Sequence, residues 1–66
     1  MMLSPVEYIQ KLRIEQVKEL LRDTDLSIMQ IAYEVGYNHN SSLTRLFKLH
    51  ENITPANYRI NIRKTN

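Results

Sequence analysis

One short stretch of the sequence concentrates side chains that could bind an anion. At about 100° per residue in a helix, four hydrogen-bonding or cationic side chains fall on one side: Ser41, Thr44, Arg45 and Lys48. The opposite side carries three large apolar residues: Leu43, Leu46 and Phe47. No Asp or Glu occurs from Asn38 through His50. A helix face that is only solvated usually mixes both charge signs, so this face is predicted to bind an anionic partner.

The residues before this face predict a second, shorter helix and a tight turn. Ser27 and Gln30 have the spacing of a capping box. An apolar side follows at helical spacing: Ile28, Ile31, Ala32 and Val35. Gly36, the single glycine of the chain, can end this helix in the left-handed conformation, and Asn38 can cap the next one. Two helices joined this way, the second over about residues 39–50, form a helix-turn-helix, whose second helix enters the major groove of DNA.

Composition favours a small helical domain. The chain has 66 residues, of which 42% are hydrophobic and 24% charged, as in folded proteins rather than disordered ones. One glycine and two prolines favour helices over turn-rich β structure, and the absence of cysteine excludes disulfides and thiolate zinc sites. No apolar run has membrane-spanning length, and the N-terminus lacks the apolar region of a signal peptide. We therefore expect an all-α, cytoplasmic domain with no membrane association and no cofactor.

The formal net charge of +2 is divided unevenly along the chain. Residues 1–37 contain four basic and six acidic residues, whereas residues 38–66 contain five basic residues and a single acid, Glu51. The positive charge therefore lies in the predicted second helix of the pair and in the residues after it. This asymmetry is typical of a protein that binds the phosphate backbone of nucleic acid.

The first helix carries more apolar surface than a small domain can cover. Ser4 and Pro5 predict its start, and it should continue to about Arg22. Its apolar side chains spread over roughly 240°, against about 100° for an ordinary surface helix: Tyr8, Ile9, Leu12, Ile14, Val17, Leu20 and Leu21. We expect the side of Tyr8 and Leu12 to be exposed, to mediate self-association, or to pack on a domain missing from this sequence.

The end of the chain predicts a fourth, short helix. Asn52 tolerates the left-handed conformation that would end the third helix. Thr54 and Pro55 then have the order of an N-cap and a first helical residue. Residues 63–66 are polar, and we expect them to fray.

Together these segments resemble one protein family. RIEQVKELL, LSIMQIAYEVGY, SSLTRLFK and ITPANYR occur in the order found in the AraC/XylS family of bacterial transcription regulators. The resemblance extends from Ser4 to Arg59. It implies that residues 1–66 form the linker helix and the second helix-turn-helix subdomain of the DNA-binding domain, a homeodomain-like helical fold. The first subdomain has no counterpart in this sequence.

The resemblance also implies partners and contacts. Double-stranded DNA is the expected ligand, and RNA polymerase is a further expected partner. The residues expected to contact bases are Asn40, Ser41, Thr44 and Arg45. Position in the two helices, rather than the resemblance, gives the residues expected to contact the DNA backbone: Lys48 on the cationic side of the second helix, and Ser27 and His39 at the helix starts. Leu49 stands where the family more often has a basic residue, which predicts one weaker backbone contact.

Simpler interpretations remain open for these residues. Arg45 could be a solvated charge or an intramolecular salt-bridge donor, and Ser41 and Thr44 could be tolerated surface residues. Asn40 could serve only the first turn of its helix. Arg13, inside the apolar arc of the first helix, is predicted to have a structural role.

Two other classes of function compete with DNA binding. Catalysis by His39 with Ser41 or Ser42 is disfavoured, because no orienting acid and no glycine-rich oxyanion loop lies nearby. The chain is therefore not expected to be an enzyme. The stronger competitor is a helical protein-interaction fragment that docks through the apolar face of residues 8–21, with DNA binding reduced or lost.

Overall fold

The computed structural model describes residues 4–64, and this part of the chain is helical with no strand. Its four helices are α1 (Pro5–Asp23), α2 (Ile28–Glu34), α3 (Asn40–Glu51) and α4 (Pro55–Lys64). The predicted all-α architecture is therefore confirmed. None of these helices is both long enough and apolar enough to cross a membrane.

Helix α1 organises the fold because it contacts each of the other three helices. One side of α1 contributes Ile14, Val17 and Leu21 to the core, and all three are fully buried. The other helices complete the core with Ile31, Ala32, Val35, Leu43 and Phe47. The Phe47 ring packs edge-on against the ring of Tyr58 in α4, with centroids 5.4 Å apart.

The start of α2 is fixed by the predicted capping box. The Gln30 backbone N–H donates to Ser27 Oγ at 3.1 Å, and the Ser27 N–H donates to Gln30 Oε1 at 2.9 Å. Two amides of the first turn, which have no partner inside a helix, are satisfied in this way.

The end of α2 has the hydrogen bonds of a Schellman motif. The Tyr37 N–H donates to the Ala32 carbonyl at 2.8 Å, and the Gly36 N–H donates to the Tyr33 carbonyl at 3.1 Å. Gly36 has a φ of 95°, a conformation that side chains with a Cβ rarely adopt. The predicted turn at Gly36 is therefore confirmed, and it directs the chain from α2 into α3.

The predicted cap of α3 is wrong. The N-cap position belongs to His39 rather than to Asn38, and His39 makes no side-chain capping hydrogen bond. The helix starts one residue later than expected, at Asn40, because the turn after Gly36 takes up Tyr37 and Asn38 before helical geometry begins. At the other end, Asn52 adopts the predicted left-handed conformation, with a φ of 63°.

Helix α4 begins as predicted but ends later. Thr54 Oγ1 accepts a hydrogen bond from the Asn57 N–H at 3.3 Å, and Pro55 is the first helical residue. The expectation that the chain frays from residue 63 is wrong for Arg63 and Lys64, which are helical. Arg63 is held by an ion pair of 2.9 Å with Asp25, and residues 65–66 lie outside the described part of the chain.

The first half of α1 is only partly covered, as the width of its apolar arc predicts. Tyr8, Ile9 and Leu12 retain 57%, 48% and 47% of their surface in contact with solvent. From Ile14 onward the helix contributes three buried residues to the core, whereas residues 5–13 contribute none. The exposed part of the arc is thus the side expected from the sequence.

Replacing Gly36 by alanine should destabilise the fold by about 1–2 kcal/mol, the cost of placing a Cβ in a left-handed conformation. Strain rather than collision would cause the loss, because an added Cβ would lie 3.6 Å from the nearest atom, in the Arg13 guanidinium. Asn52→Gly is the matched control, and its stability should not fall. Urea unfolding followed by circular dichroism measures both variants. Equal stability of Gly36→Ala and the unmodified chain would contradict this explanation.

Candidate nucleic-acid interface

Packing against the core fixes which side of α3 faces outward. Leu43 and Phe47 are fully buried, so the opposite side of the helix points to solvent. Arg45 lies at the centre of this outward side. Helix geometry places five other exposed residues within about 60° of it: Ser41, Ser42, Lys48, Leu49 and Asn52.

The predicted base-contacting residues do not all share this outward side. Ser41 and Arg45 lie together on it. Thr44 is only half exposed and sits about 100° away around the helix. Asn40 is exposed at the first position of α3, about 140° from Arg45. Thr44 and Asn40 therefore belong to the flank and the beginning of the surface rather than to its centre.

The predicted backbone-contacting residues lie at three places. Lys48 is on the outward side of α3, one turn after Thr44. Ser27 precedes α2 and is exposed, and its Oγ accepts the Gln30 N–H, which leaves its hydroxyl proton available to another acceptor. His39 is exposed at the N-cap of α3, and no capping bond occupies its ring.

Arg45 and Leu49 form a ridge between two shallow grooves. One groove, of about 370 Å³, separates α3 from α1 and is lined by Gln10, Tyr37, Ser41, Ser42, Arg45, Leu46 and Leu49. The other, of about 430 Å³, is lined by Arg45, Lys48, Leu49 and Asn52. Three residues that line these grooves were not among the predicted contacts: Ser42, Leu49 and Asn52. They lie three, four and seven residues from Arg45, and this helical spacing already indicated that they share its side of the helix.

The cations on α3 have no partner within the described residues. The side chains of Arg45 and Lys48 form neither an ion pair nor a hydrogen bond with any residue from 4 to 64. The alternative in which Arg45 is an intramolecular salt-bridge donor is therefore wrong for this part of the chain. Two unpaired positive charges about one helical turn apart form an anion-attracting surface.

Other basic residues that follow α3 serve the fold instead. The Arg59 guanidinium donates to the Leu21 and Thr24 carbonyls, both at 3.2 Å. Arg63 donates to the same Thr24 carbonyl at 2.7 Å and pairs with Asp25. These side chains cap the end of α1, so the surface that attracts anions is smaller than the charge count of residues 38–66 suggests.

Two basic side chains of α1 are also engaged internally. Lys18 lies 3.4 Å from both the Glu15 and the Glu51 carboxylates. Partial burial lowers the pKa of Lys18, but the carboxylates, Glu51 before Glu15, outweigh it and leave the pKa raised. The Arg13 guanidinium stacks over the Tyr37 ring, 5.3 Å from its centroid, as its predicted structural role requires.

Comparison with known proteins gives consistent matches over most of the chain. Residues 1–61 match a family described as a helix-turn-helix domain. Among curated relatives, a probable transcription factor PqrA from Proteus vulgaris is 40% identical over 55 residues, covering 83% of this chain and 45% of the relative. The transcriptional activator RhaS from Mannheimia succiniciproducens is 37% identical over 57 residues, covering 86% of this chain and 21% of the relative.

Solved structures agree with these matches. The C-terminal domain of AraT, a response regulator from Geobacillus stearothermophilus, aligns with a TM-score of 0.87 and 34% identity, over 89% of this chain and 49% of that one. The C-terminal domain of the response regulator yesN from Fusobacterium nucleatum aligns with a TM-score of 0.85 and 33% identity, over 86% and 55%. The chain thus spans less than half of the PqrA and RhaS relatives and about half of these solved domains.

The division of arginines into structural and unpaired ones predicts different effects of the same substitution. Arg59→Ala should lower the free energy of unfolding by about 1.5–3 kcal/mol, because charged hydrogen bonds to two carbonyls at the end of α1 are lost. Arg45→Ala should change it by no more than about 0.5 kcal/mol, as for an exposed side chain without partners. Urea unfolding of both variants measures the difference. Equal losses would show that the two arginines are not distinguished in this way.

Proposed function

We propose that α3 binds in the major groove of double-stranded DNA, starting from the fact that the chain belongs to the AraC/XylS family of helix-turn-helix transcription regulators. The function is sequence-specific DNA binding as part of a bacterial transcription regulator. The observation that carries the proposal is the outward side of α3, where the side chains of Arg45 and Lys48 are exposed and have no partner among residues 4–64. A protein surface that displaces counterions from phosphates needs such free cations.

Within this surface the side chains are suited to different parts of DNA. Arg45, at the centre, can donate two parallel hydrogen bonds to O6 and N7 of guanine. Asn40, at the start of the helix, can pair with N6 and N7 of adenine. Ser41 and Thr44 can donate to or accept from base edges beside them. Asn40 and Thr44 need the helix to tilt toward their flank, so we assign Arg45 and Ser41 the central contacts.

The backbone contacts flank these base contacts. Lys48 extends from the outward side toward one phosphate strand as a point charge. Ser27 and His39 lie where α2 and α3 begin, and their hydroxyl and ring N–H groups can donate to phosphate oxygens. Contacts of this kind fix the register of a protein on the duplex without reading its sequence.

The proposed activity is binding without catalysis, in the cytoplasm, where a regulator meets chromosomal DNA. RNA polymerase stays a predicted partner of the complete regulator. We further propose that residues 1–66 act as the second half of a two-part DNA-binding domain. The support is that the chain spans 49% and 55% of two solved domains.

The exposed part of α1 fits the same proposal. Tyr8, Ile9 and Leu12 leave an apolar strip on a helix that would link the two halves. Burial of each such side chain contributes about 1.5–3 kcal/mol, so an uncovered strip forfeits a large share of the stability of a small domain. In the complete protein a first subdomain would cover it, and in the isolated chain a second copy would.

Arg45→Ala should cost about 1–3 kcal/mol on a site selected from a random DNA library and flatten discrimination at one base pair. Lys48→Ala should instead weaken all sequences alike and reduce the slope of log affinity against log salt concentration by about one. Lys11→Ala, which removes an exposed lysine from α1, is the matched control and should change neither quantity. Fluorescence anisotropy between about 50 and about 200 mM salt measures these changes.

Two outcomes of this titration would count against the proposal. Uniform loss of affinity across the library for Arg45→Ala would remove its role as a base reader. An affinity that does not change with salt concentration would contradict phosphate recognition. It would favour the competing function, a protein-interaction fragment that docks through residues 8–21, because apolar docking depends little on ionic strength.

The strip on α1 predicts association of the isolated chain. The melting temperature should rise with protein concentration, and sedimentation should show pairing at high concentration. Leu12→Glu should abolish both effects, whereas Ile60→Glu, at a comparably exposed apolar residue on α4, should not. A strictly monomeric chain with a high, concentration-independent melting temperature would mean that the strip needs no cover.

A further inference from the structure

Leu49 is the most exposed of the large apolar side chains in the described residues, with 75% of its surface in contact with solvent. It does not lie on the strip of α1 or on the outer face of α2. It lies on α3, four residues after Arg45, in the middle of a surface otherwise made of polar and cationic groups. The proposed contacts to phosphate and to base donors and acceptors give this side chain no role.

The position of Leu49 on the ridge distinguishes it from the other exposed apolar residues. Arg45 and Leu49 line both grooves of α3, which means that they project together between them. Residues four apart are neighbours on one face of a helix, about 6 Å apart along its axis. If the Arg45 side chain enters the major groove, the Leu49 side chain must therefore enter it as well.

The major groove offers one apolar group at its base edges, the C5-methyl group of thymine. Hydrogen-bonding atoms of the other bases and the phosphates gain nothing from a leucine and would lose water against it. A displacement of about 6 Å along the helix corresponds to no more than about two steps of stacked base pairs, at about 3.4 Å each.

We propose that Leu49 is a specificity-determining residue that contacts the methyl group of a thymine within two base pairs of the base read by Arg45. The inference rests on the proposed function of α3. The sequence analysis expected only that Leu49 weakens one backbone contact, whereas the present proposal gives this side chain a contact with a base. The leucine exchanges sequence-independent attraction to phosphate for recognition of one base.

The test uses DNA in which single thymines are replaced by deoxyuridine, which pairs identically but lacks the methyl group. On a site selected from a random library, the unmodified chain should lose about fourfold in affinity at one or two positions, the factor expected for one buried methyl group. Those positions should lie within two base pairs of the base whose discrimination Arg45→Ala removes.

Variants at position 49 identify the residue responsible. Leu49→Ala should bind the thymine and deoxyuridine sites with equal affinity. Leu49→Lys should also be insensitive to the methyl group, while its salt slope increases by about one, because a phosphate contact is added. Ile60→Ala, which removes an exposed apolar side chain from α4, should keep the sensitivity of the unmodified chain.

The proposal is overturned if Leu49→Ala keeps the deoxyuridine effect, if the unmodified chain shows no such effect, or if the selected site has no thymine within two base pairs of the Arg45 position. In each of these cases salt-dependent binding and the Arg45→Ala defect would persist, and the proposed function would stand. Loss of salt-dependent DNA binding altogether would instead overturn the proposed function itself.

Discussion

Burial of Leu43 and Phe47 in the core is the constraint on which the outward surface of α3 depends. These two side chains set the rotation of α3 about its own axis, and that rotation alone decides that Arg45 points outward. A helix turned by one residue, about 100°, would bring Thr44 and Lys48 into the core in one direction, or Ser42 and Leu46 in the other. The edge-on contact of Phe47 with Tyr58 extends the same constraint to α4.

Structural features could be predicted from the sequence where they depend on contacts between residues close together in the chain. The Ser27–Gln30 box, the left-handed turn at Gly36 and the Thr54 cap involve residues no more than five positions apart, and the structure confirms all of them. The apolar arc of α1 could also be predicted, because its width follows from the spacing of apolar residues within this one helix. The His39 cap was missed because His39 makes no side-chain capping hydrogen bond and is not a residue type that marks a helix start.

Long-range contacts account for the remaining differences. Arg59 and Arg63 were assigned to a general positive charge, yet their acceptors lie 35 to 39 positions earlier in the chain. Helical periodicity in a sequence cannot predict contacts between residues that are so far apart in the chain. In the candidate site, the central position of Arg45 followed from the helical repeat. The groove between α3 and α1 on one side of the ridge exists only once these two helices are packed together, so the helical repeat alone could not predict it.

The unpaired state of the outward side of α3 has an evolutionary consequence. Because Arg45 and Lys48 support no other described residue, exchanging them or their neighbours Ser41 and Leu49 should leave the folded state almost as stable as before. The surface can therefore diversify by single substitutions without compensating changes in the core. On the proposed function, substitutions on this one surface would change the DNA site that the protein prefers while the residues of the core stay the same.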